Sequence, residues 1–211
     1  FAKMCAVYGY QRPLKILCAR ELQNSIRDSV LSGVVEAIES EPWLADHYEW
    51  GESFIRGKNG TSFIFKGLRH NAKEIKSTTG IDICWVEEAE CVSEASWSVL
   101  IPTIRKEGSE VWLTWNPEDS DSATSKRFIK NPPPGSCIVE MNYLDNPWFP
   151  AELEAERLHD LKHRPDTYEH IWMGAYLEIT EAQVFKGKFE VADFEVDASY
   201  GHPYQGQDFG F

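Results

Sequence analysis

The sequence predicts an α/β fold with a mainly parallel sheet and helices on both faces. Two observations carry this. Residues 14–19 (LKILCA), 82–86 (DICWV) and 110–115 (EVWLTW) are short, nearly continuous apolar runs, the pattern of strands buried on both sides. Segments with helical spacing lie between and around them, and alternation of strand and helix favours parallel pairing.

Residues 1–11 read as the tail of a helix carrying Phe1, Met4, Cys5 and Tyr8, closed by Gly9 and Pro13. Residues 20–40 read as one helix, because Leu22, Ile26, Val30 and Val34 recur every fourth position beside Leu31, Val35 and Ile38. Residues 52–56 and 61–66 alternate around Asn59-Gly60, a strong hairpin-turn signal. Ser93 is placed to cap a helix with Glu94 in its first turn and Trp97, Leu100, Ile101 and Ile104 on one face. Residues 137–143 (CIVEMNY) read as a further buried strand. Pro150 opens a helix to about His163, and Pro165 opens another to Trp172. The chain therefore divides into a domain over 1–175, a linker over 176–203 and the first strand of a second domain over 204–211. It opens on Phe1 and stops inside an apolar run at Phe211, so both ends are expected to continue.

Net charge is −13, the wrong sign for a broad nucleic-acid-binding face, which leaves room only for a local patch. No apolar run reaches the roughly 18–20 residues that span a bilayer, so no membrane partner is expected. Five cysteines without a C-x-x-C pair or a histidine cluster argue against zinc and for a reducing cytosol. His159 and His163 are four apart but lack the glutamate of an H-E-x-x-H site, and read as a solvated helix face.

The sharpest motif is the strand ICWV ending in Glu87 and Glu88. A strand of this kind delivers acids to the carboxyl edge of a sheet, where ligands bind in open α/β folds. In a nucleotide hydrolase Glu87 would hold Mg2+, largely through water. Glu88 would orient and deprotonate the attacking water. The same residues also describe a buried strand that ends in solvated acids. One strand and helix later, VWLTWNP ends in Thr114 and Asn116, which can bond a phosphate or the attacking water, or simply form a turn. Arg20 ends the first strand, where a guanidinium could reach phosphate or base, or pair with a helix acid. Asp208 lies between glycines in GQDFG, the setting of a first metal ligand in a two-metal nuclease, or of a turn. No G-x-x-x-x-G-K-[ST] phosphate loop occurs, and its expected place is just ahead of the helix over 1–11.

Taken together, KILCARELQNSIRDSV, IKSTTGIDICWVEEAE, SWSVLIPTIRKEGSEVWLTWNP, NYLDNPWFP and HIWMGAY resemble the large subunit of tailed-phage terminase, in the family's order and to about residue 180. The likeness includes terminases with two Glu after the strand and those of phages that package by headful cutting. The resemblance implies a RecA-like P-loop ATPase domain followed by an RNase H-like nuclease domain. It implies translocation of double-stranded DNA into procapsids with ATP, and cutting of the concatemer. It implies a small terminase subunit, a portal protein and a homo-oligomeric ring as partners. The setting would be the host bacterial cytoplasm, with transient docking on the portal. It assigns Glu87 to magnesium, Glu88 to water activation, Thr114 and Asn116 to coupling, and Asp208 to a nuclease Mg2+ or Mn2+. Arg20 falls in a segment typical of the family, with nucleotide binding as its expected role. Without the phosphate loop and the later nuclease acids, the fragment alone is expected to be inactive. The alternatives are another RecA-like translocase or helicase, or a non-catalytic module on a degenerate ATPase fold.

Overall fold

The computed structural model describes residues 1–22, 26–69 and 71–177. Its strands are β1 (Lys15–Arg20), β2 (Tyr48–Trp50), β3 (Ile55–Gly57), β4 (Ser62–Gly67), β5 (Ile83–Glu87) and β6 (Glu110–Thr114). They form one sheet in the order β2-β3-β4-β1-β5-β6. β4, β1, β5 and β6 run parallel, and the hairpin of β2 and β3 adds an antiparallel margin at the β4 side. Because the four parallel strands share a direction, their carboxyl ends emerge at one edge.

The central strands β1 and β5 each serve two cores through the period of two in their side chains. Ile16 and Cys18 of β1, with Ile83 and Trp85 of β5, pack against Cys5, Val34, Ile38 and Leu44 from α1 (Ala2–Gln11), α2 (Ser32–Glu39) and α3 (Pro42–Ala45). Leu17 and Ala19, with Cys84 and Val86, pack against Ile75, Trp97 and Leu100 from α4 (Ala72–Ser77) and α5 (Glu94–Thr103). Burial on both faces is the reason β1 and β5 show no polar alternation. β6, expected from its apolar run to be buried the same way, is instead the edge strand of the described sheet and is only half-buried from Val111 to Thr114. Trp112 of β6 meets Tyr8 of α1 edge to face at 5.6 Å.

Gly9 lies inside α1 instead of ending it. A Cβ there would stand 2.6 Å from Tyr48 Oη and 2.7 Å from Thr61 Cγ2, so the glycine lets the helix close on the sheet. Thr61 Oγ1 donates to Gly9 O at 2.6 Å across this contact. The Asn59-Gly60 turn forms as the sequence predicts, with Gly60 at φ 96°. Ser93 caps α5 by accepting the Ser96 N–H at 3.2 Å.

Three segments differ from the sequence reading. Residues 20–40 are not one helix: Arg20 closes β1, a π-helical stretch runs over Ile26–Leu31, and α2 follows. The four-residue spacing of apolar residues continues through both forms and cannot separate them. Residues 137–143 are not a buried strand: they take no place in the sheet, and Val139 and Met141 are exposed, at 71% and 69%. Their apolar composition is that of a strand, but the described residues offer them no pairing partner. Strand β2 has no counterpart in the sequence reading, since Tyr48–Trp50 is too short for alternation to register. Helices α6 (Ala151–His163) and α7 (Pro165–Met173) follow, the latter closed by Gly174 at φ 77°. Of the expected linker, Tyr176 and Leu177 are described, and Leu177 N–H donates to Glu118 O at 2.8 Å. The rest of the linker and the strand over 204–211 lie outside the described residues.

Candidate active site at the carboxyl edge of the sheet

β5 ends on Glu87, whose register partner on β6 is Thr114. The hydroxyl of Thr114 accepts Trp85 Nε1–H at 3.0 Å, which fixes its position over the strand end. Asn116 lies two residues farther on, exposed, and lines a cavity of about 390 Å³ with Glu118, Asn142, Tyr143, His170 and Trp172.

Glu88 leaves the strand at φ 49° and ψ 50°. It is the single non-glycine residue with positive φ among the described residues. That conformation is unfavourable for a side chain with a Cβ, by about 1–2 kcal/mol. Backbone strain of this kind collects at functional sites, where the surrounding structure enforces it. Here the enforcement is visible. Ala89 is fully buried, and its carbonyl accepts Thr124 Oγ1–H. Thr124, also fully buried, in turn accepts Trp97 Nε1–H at 3.0 Å. The residue after the acid pair is thus pinned to α5 and to the start of the next helical turn.

Arg20 reaches the acids from β1. Its side chain is buried, at 6% exposure, and its Nε lies 3.0 Å from Glu87 Oε2. Its Nη2 pairs with Glu88 Oε1, and its Nη1 donates to Ser29 Oγ at 2.8 Å. The sequence offers Arg20 a phosphate, a base or a helix acid as partner. The structure gives it the two strand-end acids, because Ala19 and Val86 are register partners on adjacent strands. Nothing in the sequence singles out Ser29; it reaches the site from the π-helical stretch, which periodicity absorbs into one helix.

The edge is rich in carboxylates. Burial raises the Glu90 carboxyl above its ordinary value, and the nearby charge of Glu118 adds to this. Glu87 is half-buried beside a cation and Glu88 is more exposed, at 57%. Oxygen donors of this kind suit a hard cation such as magnesium. The Arg20 charge beside Glu87 favours holding such an ion through water over direct coordination. Asp208 lies outside the described residues.

The comparisons with known proteins agree with this architecture. The Phage terminase large subunit family matches residues 1–175. The large terminase of a thermophilic bacteriophage, in complex with ADP, is similar at TM-score 0.62 and 13% identity, over 82% of this chain and 44% of that one. The same terminase in complex with ATP-gamma-S gives TM-score 0.61 at 12% identity, over 82% and 43%. The ATPase domain of the Thermus phage P74-26 large terminase, in a point-mutant form, gives TM-score 0.53 at 13% identity, over 83% of this chain and 82% of that domain. No curated protein sequence matches. The chain spans less than half the length of the two nucleotide-bound terminases it matches. At these identities the likeness establishes the fold alone, an α/β domain on a mainly parallel sheet shared with the terminase ATPase domains. The match over residues 1–175 establishes more: this chain belongs to the phage terminase large subunit family.

Proposed function

We propose that the edge formed by Glu87, Glu88, Arg20 and Thr114 is the hydrolytic site of a DNA-packaging ATPase. The carrying observation is the acid pair at the end of a central parallel strand, with Glu88 held in a left-handed backbone and clamped by Arg20. Glu87 would hold a magnesium ion carried with ATP, which when bound neutralises phosphate charge. Glu88 would accept the proton of the attacking water. Arg20 would keep both carboxylates aligned, a positioning role in place of direct nucleotide contact. Thr114 and Asn116 would register the loss of the γ-phosphate and relay it to the segment around the adjoining cavity.

In the whole protein, this activity would drive double-stranded DNA into a procapsid. The partners would be a portal protein, a small terminase subunit and further copies in a ring, within the host bacterial cytoplasm. A phosphate loop encoded ahead of Phe1 would complete the nucleotide site. A nuclease with Asp208 as its first ligand to Mg2+ or Mn2+ would cut the concatemer. Among the described residues no helix is long and apolar enough to cross a membrane.

The test uses the full-length protein. Glu88→Gln should retain ATP binding and lose turnover by about 10²–10⁴-fold, because the amide is isosteric but cannot take the proton. Near-normal turnover would reject the assignment. Asp208→Asn should abolish plasmid cleavage with magnesium or manganese while ATP hydrolysis continues; undiminished cleavage would make Asp208 a turn residue.

A further inference from the structure

Asp160 is the buried side chain of α6, at 3% exposure on a helix whose neighbouring positions are largely exposed. Its Oδ2 accepts Trp172 Nε1–H at 3.0 Å, which ties α6 to α7. Its Oδ1 is buried and takes part in no hydrogen bond. Arg164 Nη1 stands 3.8 Å from that oxygen, on a side chain that is 58% exposed and therefore well solvated. A buried carboxylate oxygen is costly unless a cation or donor meets it.

Two further ligand groups share its helical face. Glu156 and His159 precede Asp160 by four residues and by one, and positions i, i+3 and i+4 stand side by side on a helix. One ligand atom from each of Glu156, His159 and Asp160 lies within 4.8 Å of the others. The His163 ring packs on that of His159 at 4.7 Å between centroids, which restricts the imidazole. The histidine pair, read alone, lacks an acid; the fold supplies two from the same helix.

We propose that Glu156, His159 and Asp160 bind a divalent first-row transition-metal ion, with zinc as the reference. One imidazole nitrogen and two carboxylate oxygens form a mixed N/O set that such ions accept, leaving the remaining positions to water. Magnesium, which prefers oxygen ligands alone, is disfavoured. The indole N–H on Oδ2 is the kind of outer contact that orients a ligating carboxylate and leaves its other oxygen for the metal. Binding would replace the loose Arg164 contact on Asp160 with a metal bond along α6, while the Trp172 indole on the other carboxylate oxygen continues to tie α6 to α7. The site shares no residue with the acids at the sheet edge and does not depend on their role.

The experiment titrates zinc into the 211-residue chain, with a chromophoric chelator as competitor and thermal unfolding as a second readout. One equivalent should bind and raise the unfolding temperature. His159→Ala and Glu156→Gln, both at exposed positions, should fold as the parent, weaken binding at least about tenfold and lose the thermal shift. Cys91→Ser and Cys137→Ser should keep both, which excludes the exposed thiols as the ligands. No uptake by the parent chain, or uptake unchanged in His159→Ala, overturns the proposal.

Discussion

Arg20 Nε lies 3.0 Å from Glu87 Oε2, so the basic group at the end of one strand is held by the acid at the end of its neighbour. Removing the cation leaves Glu87 and Glu88 side by side without compensation. Arg20→Met, which keeps most of the buried volume, should destabilise the chain by roughly 3 kcal/mol, most of it from Glu87 because Glu88 is exposed and screened. Arg20→Lys should recover only part, since one ammonium cannot reach both acids and Ser29. Urea unfolding measures both, and an Arg20→Met loss under about 1 kcal/mol would place the pair in the class of surface contacts.

Thr124 is the anchor behind the acid pair. Thr124→Val is nearly isosteric but removes the acceptor for Trp97 Nε1 and the donor to Ala89 O, both in a fully buried setting. The expected cost is about 2–4 kcal/mol, from two stranded polar groups. In the full-length protein hydrolysis should fall as well, because Ala89 fixes the backbone that presents Glu88. Equal stability of the variant in denaturant titration would contradict the hydrogen-bond assignment.

Asp82 stands just ahead of β5, at the opposite edge. Burial pushes its carboxyl up. The Lys106 hydrogen bond, the Lys15 backbone N–H at 2.9 Å and the charges of Lys106 and Arg12 together outweigh that and hold it below its ordinary value. A depressed carboxyl contributes stability above its unfolded value and loses it as pH falls through the folded one. Asp82→Asn should therefore be less stable than the parent at about pH 7, and the two should converge in acid, below the normal carboxylate range. Parallel unfolding curves across that range would refute the linkage.

The five cysteines separate by depth. Cys5, Cys18 and Cys84 are buried, and burial raises all three thiols, that of Cys5 to about 12. Cys91 and Cys137 are exposed. Burial and the charges of Glu90 and Glu118 also raise the Cys91 thiol. A thiol reagent should therefore reach two groups in the native chain, Cys137 first and Cys91 more slowly, and five after denaturation, since the thiolate is the reactive form. Prompt reaction of any buried thiol would mean that the sheet faces open more readily than their packing indicates.

The central sheet was legible in the residues alone. The short apolar runs LKILCA and DICWV declared themselves as β1 and β5, which the sheet buries on both faces, and EVWLTW as β6, which lies half-buried at the edge of the described sheet; the order of their motifs declared the family. Local turn and cap chemistry did the same for Asn59-Gly60 and Ser93, because those residues act on their own backbone. The remainder of the site rests on contacts far apart in the chain. The two acids that Arg20 pairs with lie 67 and 68 residues away on another strand end. The left-handed turn at Glu88 is enforced by Thr124, and no pattern around Glu87-Glu88 announces it. The segment over 137–143 has a strand's composition, but a strand forms only where a neighbour supplies hydrogen bonds, and the described residues supply none. Periodicity records which side chains seek burial; the packed fold decides which backbone groups and charges meet.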